Sequence, residues 1–324
     1  VNGSKSITGI EINPTIAELN KETYRDFNGN LFNQPGVELI VDEGRNFTRH
    51  TKERYDIIHL PNVDSGVASS SGAFTFVENS LYTVEAFKDY FKRLKNDGIL
   101  WIVRWRASQK EYFLENFRIL TGVLRALDEL NVAHPEKHIV MLEEEDKPVW
   151  RQAIFLVKKT PFVSEEVRAI DALRERMGLL WLHHPEKRMD NTLDDYLFSS
   201  EKKRLAARYP FRIDPPTDNC PFFFNFLKPV HYIWKLPEIA THFTYPVFMF
   251  KSLFVIVLVM VIAAIFLPLL MFKRYSLDTN HTSSTGGYLF YFACLGLGFM
   301  LVEIPLIQKF ILFLGQPLYA IAVI

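Results

Sequence analysis

Ile7-Thr8-Gly9-Ile10-Glu11-Ile12-Asn13-Pro14 is the stretch whose reading decides the fold. Its apolar run is a strand pattern stopped by Asn-Pro, and it delivers one carboxylate, Glu11, near the carboxyl end. In open α/β sheets ligands bind outside the carboxyl ends of the strands, where an acid is placed to accept both hydroxyls of a ribose. Glu11 is therefore a candidate nucleoside-binding residue. The alternative is that it caps a helix starting near Pro14, because a carboxylate is favourable at a helix N-terminus.

Outward from this strand the pattern alternates. Ile16, Leu19, Tyr24 and Phe27 have helical spacing, ended by Asn28-Gly29-Asn30, and Val37 to Val41 reads as a second strand closed by Asp42-Glu43-Gly44-Arg45. Arg54 to Leu60 is a third strand, followed by a Ser- and Gly-rich loop from Asn62 to Gly72. A helix over Thr83 to Leu94 is stopped by Asn96-Asp97-Gly98, Ile99 to Val103 is a fourth strand, and a helix runs from about Tyr112 to Leu130. His138 to Leu142 and Ala153 to Val157 read as an antiparallel pair at the sheet edge. Strand and helix in alternation predict an α/β fold with a doubly wound, Rossmann-like sheet over residues 1–160.

Residues 161–232 break the alternation and read as an appended helical subdomain. His183 and His184 are adjacent, so they do not share a helical face, and no Cys or carboxylate stands at ligand spacing, so a surface or packing role is expected rather than metal binding. Phe222-Phe223-Phe224 reads as an apolar plug where the soluble part meets a membrane, and Trp101, Arg104 and Trp105 as packing at a strand end.

Residues 233–324 form the membrane region. Ser252 to Phe272 is uncharged and, at about 1.5 Å per residue, long enough for a hydrocarbon core of about 30 Å. A second span is expected over Tyr288 to Ile307, and a third, cut short, from Phe310. Lys235, Lys251 and Lys309 would face one side, Lys273 and Arg274 the other, and the positive-inside bias favours a cytoplasmic soluble domain. Glu303 is the one ionisable group inside the second span, which makes it a functional candidate unless it lies near the interface.

The totals are consistent with this division. Lys plus Arg and Asp plus Glu are both 37, so nothing attracts nucleic acid in general. Cys220 and Cys294 are the only cysteines, far apart, and indicate neither a disulfide framework nor a zinc site. Val1 begins almost on a strand and Ile324 ends within an apolar run, so a longer protein is expected on both sides.

Several blocks resemble one family. Ile10-Glu11-Ile12-Asn13-Pro14, Asp42-Glu43-Gly44-Arg45, Tyr55-Asp56-Ile57-Ile58 and Leu81-Tyr82-Thr83-Val84-Glu85-Ala86-Phe87 look like successive blocks of the spermidine synthase family, a branch of the class I S-adenosylmethionine-dependent methyltransferase fold. Thr217-Asp218-Asn219-Cys220-Pro221-Phe222-Phe223 and Gly296 to Glu303 resemble its bacterial membrane-bound branch. The resemblance implies that Glu11 binds the ribose of an adenosyl donor, that Asp42 or Glu43 contacts the adenine, and that Asp64 holds the amine of a polyamine acceptor. The donor would be S-adenosylmethionine or its decarboxylated form, with no metal. The expected partners are a small-molecule acceptor, membrane lipid and a second copy in a homodimer, and the expected location is the bacterial inner membrane.

Pro61 stands where the family carries its catalytic aspartate, and the family's Gly-rich donor loop, which precedes the strand of Glu11, is absent. A carboxylate within reach of the amine is what removes or orients its proton. Two functions are therefore carried forward: a membrane-anchored transferase moving an aminopropyl or methyl group, and a catalytically inactive regulatory or transport-associated relative. A nicotinamide-dependent dehydrogenase shares the acid after the strand but gives no reason for the Tyr55 to Ile58 and Leu81 to Phe87 blocks.

Overall fold

A computed structural model describes residues 3–63, 78–107, 113–145, 150–230, 245–273, 285–314, 319 and 322–324. The chain divides into two compact units, Val1–His50 with Phe250–Ile324, and Thr51–Met249.

In the first unit β1 (Ile7–Glu11) pairs in parallel with β2 (Val37–Val41), in register from Ile7 opposite Val37 to Glu11 opposite Val41. α1 (Pro14–Glu18) starts as its sequence dictates: Asn13 accepts from the N–H groups of Thr15 and Ile16, and Pro14 occupies the first turn, where no N–H is needed. The helix expected to reach Phe27 passes into a π-helical turn at Leu19–Thr23. Asparagine side chains explain the change. The Asn28 amide donates to the oxygen of Asn20 and the Asn33 amide to that of Lys21, drawing off carbonyls that a continuing helix would use. α2 (Gly44–His50) follows β2 directly. Over residues 3–50 only Ala17, Arg45 and Thr48 are buried, so this parallel pair has almost no core of its own.

The second unit holds β3 (Tyr55–Leu60), α3 (Val84–Arg93), β4 (Leu94–Ala107), α4 (Leu114–Glu129), β5 (Ile139–Glu144), β6 (Trp150–Lys158), α5 (Ser164–Met177), β7 (Leu179–His183), α6 (Thr192–Phe198) and α7 (Lys202–Arg208). Its five-stranded sheet has the order β3-β4-β6-β5-β7, and only β3 and β4 run parallel. The expected doubly wound sheet is thus corrected to a mixed α/β arrangement in two sheets. The short β5 to β6 connection permits only antiparallel pairing, since a parallel return needs a crossover of a dozen residues or more. The expected edge hairpin is interior, because β6 lies between β4 and β5 and β7 forms the edge. β4 begins at Leu94, ahead of the expected stop at Gly98, and pairs Leu94 with Tyr55 before a bulge restores the register at Ile57 and Ile99. A side chain at Gly98 would meet the Tyr55 oxygen at 2.9 Å, so glycine is required there.

α3 and α4 supply Phe87, Tyr90, Phe91, Ile119 and Val123 to a core shared with Leu100, Ile102 and Phe155. α5 contributes Val167 to a second cluster with Val140, Leu142, Phe162 and Leu179. The region set apart in the sequence joins this fold, giving β7 to the sheet and Phe211, Ile213, Phe223, Phe224 and Phe226 to the main core. The phenylalanine run is therefore not a membrane plug. Phe223 and Phe224 lie against Arg104, whose guanidinium is 5.4 Å from each ring centroid. Of the two roles left open for His183 the structure shows packing: it is buried, its Nδ1 2.6 Å from Asp194 Oδ1 and its Nε2 2.8 Å from the Glu136 oxygen.

Two long helices follow, α8 (Tyr245–Lys273) and α9 (Thr285–Leu314). Each is long and apolar enough to cross a membrane, over Lys251–Pro268 and Gly287–Ile307. Phe310 lies inside α9 and does not open a third helix there. Glu303 is the only Asp, Glu, Lys or Arg within Gly287–Ile307.

Candidate functional site

The carboxyl edge of β1 and β2 gathers the acids singled out in the sequence. The Asp42 N–H donates to the Glu11 main-chain oxygen at 3.1 Å, one rung beyond the pairing of Glu11 with Val41. Glu11 Oε1 accepts the Asn13 N–H at 2.8 Å, so Glu11 braces the cap while Asn13 itself caps α1. The alternative role for Glu11 is thus taken by Asn13, a job legible in Asn-Pro at a helix start.

Asp42 and Glu43 hold the entry to α2. Asp42 Oδ1 accepts from the Glu43 N–H at 2.7 Å and the Asn46 side-chain amide at 2.9 Å. Glu43 Oε2 accepts the Asn46 N–H at 2.8 Å. Burial raises the Glu43 pKa, against the opposing pull of main-chain N–H groups of Arg45 and Asn46. Asn46 is the residue that sequence reasoning missed: it touches both acids and fixes their side chains over one turn. Three carboxylates on adjacent strand ends, each with an oxygen fixed by local N–H groups, form an acceptor-rich edge suited to hydroxyls and an exocyclic amine.

Asp64 lies outside the described residues, as does most of the Asn62 to Gly72 loop. Among the described residues no group of three or more His, Cys, Asp or Glu is placed to hold a metal ion.

The second unit is built around buried charges. Arg104 is fully buried, and its Nη2 and Nε donate to Glu115 Oε2 at 2.6 and 2.8 Å while Nη1 donates to the Tyr82 hydroxyl at 3.0 Å. Arg118 donates to the Phe222 oxygen at 2.8 Å, and burial pulls its pKa down to about 9. The aromatic residues after Pro221 are the partners that sequence reasoning missed for these arginines, because the contacts span more than a hundred positions in the chain.

Comparison with known proteins follows the same residues. Residues 2–132 match the spermine/spermidine synthase domain family. A polyamine aminopropyltransferase of Sulfurisphaera tokodaii is 25% identical over 121 residues, 37% of this chain and 36% of that protein. One from Buchnera aphidicola is 33% identical over 60 residues, 18% of this chain and 21% of the relative. The chain thus spans about a third or less of the length of these curated relatives. Among solved structures, a probable spermidine synthase from Corynebacterium glutamicum is similar at 16% identity and TM-score 0.40, covering 60% of this chain and 61% of that one. A spermidine synthase solved with the transition-state analogue AdoDATO is similar at 15% identity and TM-score 0.31, covering 64% and 62%.

Proposed function

We propose, from the match of residues 2–132 to the spermine/spermidine synthase domain family, that the chain is a membrane-anchored transferase. It takes S-adenosylmethionine or its decarboxylated form and moves a methyl or aminopropyl group to a small acceptor of the polyamine class. The observation that carries this reading is the rung joining Glu11 to Asp42 at the carboxyl edge of β1 and β2.

Glu11 holds the ribose hydroxyls of the donor, and Asp42 or Glu43 receives the adenine amino group. These residues fit such a group, since each has a carboxylate oxygen already oriented by a neighbouring N–H. When bound, the donor supplies a sulfonium-activated carbon as electrophile. Asp64 orients the acceptor amine, a role that requires it to stand in for the carboxylate that Pro61 lacks. α8 and α9 anchor the protein in the bacterial inner membrane with the transferase part on the cytoplasmic side.

Pro61 also supports a second reading, a domain that binds the donor without turning it over and serves a regulatory or transport role. One assay separates the two. The full chain in detergent micelles is incubated with decarboxylated S-adenosylmethionine and putrescine, or with S-adenosylmethionine and the same amine, and products are resolved by chromatography. Spermidine or a methylated amine supports the transferase, whereas donor binding with neither product favours the regulatory reading.

A further inference from the structure

A groove of about 520 Å³ opens where the turn Pro135–His138, the loop after β7 and the end of α6 come together. Lys137, Lys187 and Arg188 line it beside Phe162 and Phe198. Its two carboxylates are already engaged. Glu186 Oε1 accepts the Ser164 hydroxyl at 2.7 Å, and Glu136 Oε1 lies 3.2 Å from His134 Nδ1. Arg188 is held as well, its Nε 3.2 Å from Asp194 Oδ2 and its Nη2 2.8 Å from Asp195 Oδ1. The ammonium groups of Lys137 and Lys187 have no ion pair or hydrogen bond among the described residues.

The walls of the groove are held by the chain itself. The Phe162 N–H donates to the Lys137 oxygen at 2.8 Å and His183 Nε2 stands 2.8 Å from the Glu136 oxygen, so the turn carrying Lys137 is pinned twice. In the loop after β7 the Glu186 N–H donates to His184 Nδ1 at 3.1 Å, and the Met189 N–H to Asp194 Oδ2 at 2.8 Å. Burial, and after it the charge of Lys187, lowers the His184 pKa, which keeps that ring neutral and able to accept. A groove fixed in this way has little ordering left to lose when a ligand enters.

The uncommitted charge in the groove is therefore positive, and two ammonium groups suit a dianion better than a single carboxylate. A phosphomonoester carries about 1.5 to 2 negative charges near neutral pH and offers three acceptor oxygens. Phe198 is 38% exposed on the groove wall, with the Arg188 guanidinium 4.5 Å from its ring centroid, so apolar ring surface is left within reach of a ligand. The volume falls in the range of small-molecule sites, about 300–1,000 Å³. We propose that this groove binds an organic phosphate carrying a flat ring, with Lys137 and Lys187 on the phosphate and Phe198 against the ring. The acids at the β1 and β2 edge have the opposite charge, so the site is chemically separate from donor binding and does not rest on the transferase reading.

The test titrates the full chain, in micelles of an uncharged detergent, with phenyl phosphate, inorganic phosphate and phenol, read by calorimetry. Wild type is compared with Lys137→Gln, Lys187→Gln, the two lysine changes combined, and Phe198→Ala. All three side chains are exposed, so these changes spare the core. Phenyl phosphate is expected to bind the wild type about tenfold more tightly than inorganic phosphate or phenol, because only it meets both the lysines and the ring. Each single lysine change is expected to weaken it about tenfold, the loss of one charge-assisted hydrogen bond, and the combined change to abolish measurable binding. Phe198→Ala is expected to bring phenyl phosphate down to the affinity of inorganic phosphate and to leave the latter unchanged. Phenyl phosphate affinity that survives the combined lysine change overturns the proposal. So does a wild type that binds inorganic phosphate as tightly as phenyl phosphate, or that binds neither.

Discussion

The Asp42 N–H sits 3.1 Å from the Glu11 main-chain oxygen, so two acids end neighbouring parallel strands on consecutive rungs. Strand pairing alone brings them together, because the ladder continues one step past the matched residues Glu11 and Val41. Local N–H groups then orient the side chains: Asn13 for Glu11, Glu43 and Asn46 for Asp42.

Glu43→Gln is expected to stabilise the protein near neutral pH. Burial raises the Glu43 pKa, so the folded state holds this proton more tightly than the unfolded chain. Stability is then full below the unfolded carboxylate value and falls as pH rises through the folded one. Glutamine keeps an oxygen for the Asn46 N–H and removes the charge, so denaturant titrations at pH 4 and pH 7 should differ less in the variant than in the wild type. A variant less stable than wild type at pH 7 contradicts the assignment.

Gly122→Ala is expected to destabilise the second unit by about 1–3 kcal/mol, the usual cost of overpacking. An added methyl would lie 2.6 Å from Cε2 of Phe87, which is fully buried and cannot swing away. Urea unfolding followed by tryptophan fluorescence measures the change, and an unchanged midpoint would show that α3 and α4 separate easily.

Arg104→Met should cost about 3–5 kcal/mol, since it leaves the Glu115 carboxylate buried without its cation. The double variant Arg104→Met with Glu115→Leu is expected to recover part of that loss, because it removes both charges from the core. Equal stabilities for the single and double variants would argue against the pair as a unit.

Much of the first unit was legible because its signals are local. Pro14 marks a helix start, though its cap is Asn13 and not Glu11, and the apolar runs at Ile7 and Val37 mark two strands whose ends carry acids. The early end of α1 was not legible, since it depends on the amides of Asn28 and Asn33 folding back from outside the helix. Sheet order escaped for a related reason: periodicity places strands but says little about their neighbours, and the interior position of β6 follows from a nine-residue pairing with β4. The role of Phe223 was inverted because an apolar run beside a long apolar helix looks like a membrane contact, while its real partners, Tyr82 and Arg104, are remote in sequence. Two long apolar helices were read directly from composition, and the helical continuity through Gln308 and Lys309 was not.

The central claim is that the β1 and β2 edge binds an adenosyl group through Glu11. Calorimetric titration of the full chain in micelles with 5′-methylthioadenosine, for wild type, Glu11→Ala and Glu11→Gln, tests it most directly. The account predicts binding by the wild type, weakened about tenfold or more in both variants because neither can offer a charged acceptor to the ribose hydroxyls. Wild-type affinity retained in Glu11→Ala would contradict it.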